Sequence, residues 1–145
     1  MSYAKPLTKF GSLPVLYETF TSPETGEKLI VEHAEALAIE LRLARAFNLL
    51  GDNAFEETQI LGFFSNTRAL MHRHEEAYFV KAEDLDKERD LFINVKLAQW
   101  IQRHELELGK NKDPKTGEAR GFYIGNRASL ADIKTAVAID GTVRL

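Results

Sequence analysis

The hydrophobic pattern of the chain changes period once. Leu13 to Phe20 is rich in Val, Leu, Tyr, Thr and Phe, residue types that suit a pleated, half-buried surface. Ser22-Pro23-Glu24-Thr25-Gly26 supplies turn formers and Lys28 to Glu32 resumes the extended pattern, which predicts a β-hairpin with a loop of moderate length. From Glu35 through Phe47 strong helix formers take over, and Gly51 with Asp52 and Asn53 is expected to close that helix.

The remaining segments read as helices. Asn53 and Glu56 have capping-box spacing, and Ile60, Phe63, Phe64, Thr67, Leu70 and Met71 recur at i, i+3, i+4 and i+7, predicting a long amphipathic helix to about His74. Asp84 is expected to cap a further helix in which Leu91, Val95, Ala98 and Ile101 form one stripe and Ile93, Leu97 and Trp100 widen it. Lys110 to Gly117 is charged and helix-breaking and reads as a flexible linker. Past the apolar piece Gly121 to Gly125, a last helix is expected from Ser129 to about Ile139, with Leu130, Ile133, Ala136 and Val137 on one side.

Composition narrows the function classes. With 145 residues and 44% hydrophobic content, the chain has room for one core or two small ones. Its 19 basic and 22 acidic residues give a net charge of −3, without the basic excess that phosphate backbones demand, so no nucleic acid partner is expected. The absence of cysteine excludes disulfides, thiolate metal sites and a cysteine nucleophile. No apolar run approaches the ~20 residues of a membrane span and no secretory signal opens the chain, so a cytoplasmic protein without a membrane partner is expected.

Candidate chemistry is sparse. His72 and His74 stand beside Glu75 and Glu76, but residues two apart on a helix diverge, and the group reads as a solvated helix end. His33 and His104 have no partner at ligand spacing, so no metal site is expected. The run Glu83 to Asp90 reads as a solvent-facing helix start, and Trp100 as core.

Four segments, taken in order, resemble one family. They are Phe10-Gly11-Ser12-Leu13-Pro14-Val15-Leu16, Glu35 to Ala44, Trp100 to Leu108, and Gly125 to Ile133. Together they are similar to the glutathione transferases, most nearly the sigma-like and fungal-type members. The resemblance implies a mostly α fold. A partial thioredoxin-like domain, a β-hairpin plus helix, would span 1–51, and the family's all-α C-terminal domain would span 52–145. It also implies glutathione as the ligand. Pro14 would be the cis proline whose loop, with Leu13, turns backbone toward glutathione. Lys5 would meet the glycyl carboxylate, and Glu35 with Ala36 would hold the γ-glutamyl end. Ala36 departs from the family's hydroxyl residue, which removes a side-chain hydrogen bond, and Arg42 stands where an aromatic residue is usual. Ser129 and Asp132 would form the buried capping box of the helical domain.

The family's catalytic Tyr, Ser or Cys follows a first strand that would precede Phe10, where this chain has nine residues. Tyr3, Tyr17, Tyr78 and Tyr123 match none of the family's catalytic positions. The expectation is a transferase-like protein shortened at both ends, without a catalytic residue, retaining at most partial binding of glutathione or a small hydrophobic electrophile. The alternatives are a protein-interaction module of the kind found in translation factors, or a fragment of a full-length active transferase. A free sheet edge and an uncovered last helix would favour a homo-oligomer, such as a dimer, or another protein partner.

Overall fold

The computed structural model describes residues 14–143; Lys5 and Leu13, two of the expected ligand-binding positions, lie outside them. The architecture is mostly helical with one small antiparallel sheet. It divides into two compact units, the first ending at Phe47 and the second beginning at Asn48.

In the first unit, β1 (Val15–Thr21) pairs antiparallel with β2 (Lys28–Ala34), from Val15 opposite Ala34 to Thr21 opposite Lys28. The turn is closed by the Gly26 amide donating to the Ser22 carbonyl at 2.8 Å, with Gly26 at a φ of 71° that glycine adopts without strain. Strand alternation puts Leu16, Glu18 and Phe20 on one face with His33, Val31 and Leu29. Glu18 anchors that face. Its carboxylate accepts from Nε and Nη2 of Arg42, each at 2.7 Å, and lies 2.9 Å from Nε2 of His33. Arg42 belongs to α1 (Ala36–Ala46), which buries Ile39 and Ala44. Arg42 thus ties the helix to the hairpin.

Two helix ends differ from expectation. The α1 helix stops at Phe47, whose amide donates to the Leu43 carbonyl, and Asn48 follows at a φ of 54°; the left-handed asparagine ends the helix, not Gly51. Gly51 instead lets the chain pass Glu56, because a Cβ there would meet the Glu56 Cβ at 2.6 Å.

The second unit begins with α2 (Ala54–Tyr78). Asn53 caps it as expected, its Oδ1 accepting from the amides of Phe55 and Glu56 at 3.0 Å, while Glu56 returns its carboxylate to the amide of Asp52 and not of Asn53. Ile60, Phe64, Thr67 and Leu70 of the expected stripe are buried, and Ala77 extends it.

The next helical segment corrects the expected pattern. It runs as α3 (Leu85–Leu91), a π-helical turn (Phe92–Leu97) and α4 (Ala98–Leu108). Asp84 stands at the N-cap position but its side chain makes no capping bond. The π turn adds residues to one revolution and shifts the phase downstream. Phe92, Leu97, Trp100 and His104 are the buried positions, and Leu91, Ile93, Val95 and Ala98 of the expected stripe face outward. Phe92, Leu97 and Trp100 pack with Leu70 and Ala77 in one cluster. His74 also departs from the solvated reading, since its ring packs on Tyr78 at 4.7 Å and on Phe92 at 5.1 Å.

The segment Lys110–Gly117 is a built loop and not a flexible linker. Lys112 and Ala119 form a β-bridge, Asp113 Oδ1 accepts from the amides of Lys115 and Thr116, and Asn111 Nδ2 donates to the carbonyls of Phe122 and Gly125. The last helix, α5 (Leu130–Val143), packs on α2 through Thr67 and Thr135, whose hydroxyls lie 3.2 Å apart. Its buried positions are Leu130, Ala131, Thr135 and Ala138, whereas Ile133, Ala136 and Val137 of the expected side are exposed. The helix is apolar nearly all round, so its periodicity alone does not select a face. The carboxylate side of the expected capping box is present at its start. Asp132 Oδ2 accepts from the Ser129 amide at 2.8 Å and from the Ser129 hydroxyl at 2.6 Å, and Oδ1 takes the Tyr123 amide at 3.0 Å.

Candidate functional site

Two places carry potential chemistry, one in each unit. In the first, the hairpin register brings Pro14, Glu35 and Ala36 to one end: Val15 and Ala34 form the last rung, and Pro14 and Glu35 flank it. Glu35 joins β2 to α1 at a φ of 73° and a ψ of 125°, outside the usual range of a residue with a side chain. The Glu35 side chain at the N-cap position makes no capping bond to α1. Its first intrahelical amide bond is from Ile39 to the Glu35 carbonyl, so the amides of Ala36, Leu37 and Ala38 have no acceptor within the helix.

The second place is a groove of about 540 Å³ between α2 and the π turn with α4. On the α4 side Lys96, Gln99, Trp100, Arg103, His104 and Glu107 follow i, i+3, i+4 spacing, a face set by the preceding π turn. On the α2 side Gln59, Phe63, Asn66 and Arg73 complete it. Asn66 organises the floor. Its Oδ1 accepts from Trp100 Nε1 at 2.8 Å and from His104 Nε2 at 3.0 Å, and the other imidazole nitrogen meets the Tyr123 hydroxyl at 2.5 Å. The rings stack as well, Trp100 on His104 at 3.7 Å and Phe63 on Tyr123 at 4.5 Å. Burial lowers the His104 pKa below its ordinary value, with nearby Glu107 opposing, and burial raises the Tyr123 phenol. Both groups are therefore neutral near pH 7.

Sequence reasoning set His104 and Trp100 aside as structural residues and did not select Asn66. The available signal was Trp100 and His104 four apart on one helix. Their shared partner lies 34 and 38 residues away, beyond any local motif. Among the described residues no group of three or more His, Asp or Glu is placed to hold a metal ion, and no helix is long and apolar enough to cross a membrane.

No protein-family model matches the chain. It is 30% identical over 131 residues to glutathione S-transferase 2 of Onchocerca volvulus, covering 90% of this chain and 54% of that protein. It is 29% identical over 124 residues to a glutathione S-transferase of Dirofilaria immitis, covering 86% of this chain and 51% of that one. The chain thus spans about half the length of the curated relatives it matches. A sigma class GST of Fasciola hepatica shares the fold with a TM-score of 0.69, at 20% identity, over 96% of this chain and 62% of the other. With a hairpin and helix leading into a helical unit whose last helix starts at the Ser129–Asp132 capping box, and with these relatives matching most of its length, the chain belongs to the glutathione S-transferase superfamily.

Proposed function

We propose that this chain is a glutathione S-transferase-like protein whose first unit holds part of a glutathione site around Pro14, Glu35 and Ala36, with Lys5 and Leu13 contributing from outside the described residues. The observation that supports this reading is the start of α1. A helix N-terminus whose N-cap side chain makes no capping bond offers amide donors and a positive dipole end, a setting that suits a carboxylate of glutathione. The Glu35 carboxylate suits the γ-glutamyl ammonium group. Ala36 supplies only its backbone, so affinity is modest.

The reading assigns binding and not turnover to these residues, because none of them is a group that activates a thiol. A small hydrophobic electrophile is the companion ligand, and a reducing cytoplasm is the setting that agrees with a chain free of cysteine. Thermal unfolding with millimolar glutathione tests the proposal. Glutathione at ~100 times its dissociation constant adds ~2.7 kcal/mol of stability, and an unchanged transition refutes binding.

A second reading rests on the hairpin. Among the described residues β1 and β2 are the whole sheet, so each keeps an unpaired edge, and Ile30 is 78% exposed on β2. That favours a homodimer or another protein partner, as in the interaction modules of translation factors. Sedimentation at micromolar concentration decides it; a monomer whose strand amides are fully protected from exchange overturns this reading.

A further inference from the structure

The Glu18 carboxylate joins three elements of the first unit. From β1 it accepts Nε and Nη2 of Arg42 on α1, each at 2.7 Å, and its Oε2 also lies 2.9 Å from Nε2 of His33 on β2. Two parallel bonds between a planar guanidinium and a carboxylate fix direction as well as distance. The buried Ile39 and Ala44 hold α1 by apolar contact, which is non-directional and leaves the helix free to turn and slide.

The other attachment of α1 is covalent, through Glu35 after the end of β2. Arg42 stands about two turns along the helix, about 10 Å from that pivot at the α-helical rise per residue. A displacement of about 3 Å at Arg42 therefore tilts the axis by about 15 to 20°, as large as the misalignment that a binding constellation tolerates. Such a tilt barely moves the amides of Ala36, Leu37 and Ala38, but it re-aims them.

We infer that Glu18 is a positioning residue of the glutathione site proposed above: by holding Arg42 it aims the N-terminal amides of α1 at the ligand carboxylate. The ligand is that of the preceding reading, on which this assignment rests, whereas the alignment of α1 is measurable without it.

Two substitutions separate aim from charge. Glutathione, with two carboxylates and one ammonium group, carries a net charge of about −1 near pH 7. By electrostatics alone Glu18→Gln would strengthen its binding, and Arg42→Lys, which keeps the charge but loses the planar fork, would leave it unchanged. Positioning predicts otherwise. Both variants are expected to bind glutathione about threefold more weakly by titration calorimetry, and the double variant no more weakly than the weaker single, since one contact serves both residues. Without ligand, residual dipolar couplings of the α1 amides in Glu18→Gln are expected to depart from the alignment that they share with the hairpin amides in the native protein. Should Glu18→Gln fail to fold by circular dichroism, Arg42→Lys carries both measurements. Unchanged couplings, or glutathione bound by Glu18→Gln at least as tightly as by the native protein, overturns the assignment. A native protein that binds no glutathione overturns the ligand reading, and the couplings alone then decide whether Glu18 aims α1.

Discussion

The hydroxyl of Tyr123 donates to Nδ1 of His104 over 2.5 Å, and Asn66 sets that direction. Because Asn66 Oδ1 is an acceptor, the 3.0 Å bond to His104 makes Nε2 the protonated nitrogen and leaves Nδ1 to accept. The neutral imidazole is thus satisfied on both sides, and its stability contribution depends on pH.

Burial holds the His104 pKa below its ordinary value of 6.5. Between the folded and unfolded values the unfolded chain binds more protons, so stability rises with pH through that window. The contribution is complete above the unfolded value and is lost as pH falls through the folded one. Urea unfolding between about pH 5 and 8 is expected to show the native midpoint falling on acidification more than that of His104→Gln. Parallel curves for the two proteins would show that His104 does not carry the effect.

Tyr123→Phe is expected to cost about 1 to 2 kcal/mol, since it leaves Nδ1 of a buried imidazole without a donor. Chemical denaturation measures this, and an unchanged midpoint would mean that water replaces the hydroxyl.

Asp132→Ala is expected to be more damaging, at about 2 to 3 kcal/mol. One carboxylate serves the Ser129 amide, the Ser129 hydroxyl and the Tyr123 amide, so its removal uncaps α5 and releases the loop before it. Asp132→Asn, which keeps one acceptor oxygen, is expected to recover part of the loss in the same assay.

The π turn makes a prediction about deletions. Phe92 and Leu97 are five apart yet both buried, so removing the exposed Val95 converts the spacing to four and leaves Leu97, Trp100 and His104 in phase with Phe92. That deletion is expected to fold. Deleting Gln102 rotates His104 away from Asn66 and Tyr123 and is expected to cost about 3 kcal/mol or more. Circular dichroism with Trp100 fluorescence distinguishes the two; equal damage from both deletions would refute the phase argument.

Glu35 holds a backbone conformation that glycine adopts freely. Glu35→Gly is therefore expected to stabilise the protein by about 1 kcal/mol while weakening any glutathione-induced thermal shift. A loss of stability would show that contacts of the Glu35 side chain outweigh the strain.

The short-range features of the molecule were legible in the chain. The hairpin, the Asn53 cap and the Ser129–Asp132 box rest on hydrogen bonds between residues at most four positions apart, apart from a ladder fixed by its own turn, so residue type and spacing suffice to specify them. Pro14, Glu35 and Ala36 were named from the family resemblance and not from spacing, and the hairpin register brings them to one end of the sheet.

What the chain did not reveal was which faces meet. A π turn shifts the phase of one helix, and an all-round apolar α5 offers no preferred side, so Leu91, Val95, Ile133 and Val137 read as core and stand exposed. Asn111 orders the loop by reaching carbonyls 11 and 14 residues away, and Asn66 joins Trp100 and His104 across more than thirty. The sequence by itself determined the elements, their order and their caps, because those depend on neighbours. Only the tertiary structure decided the buried faces and the groove, because packing fixes helix phase and supplies partners that no local spacing contains.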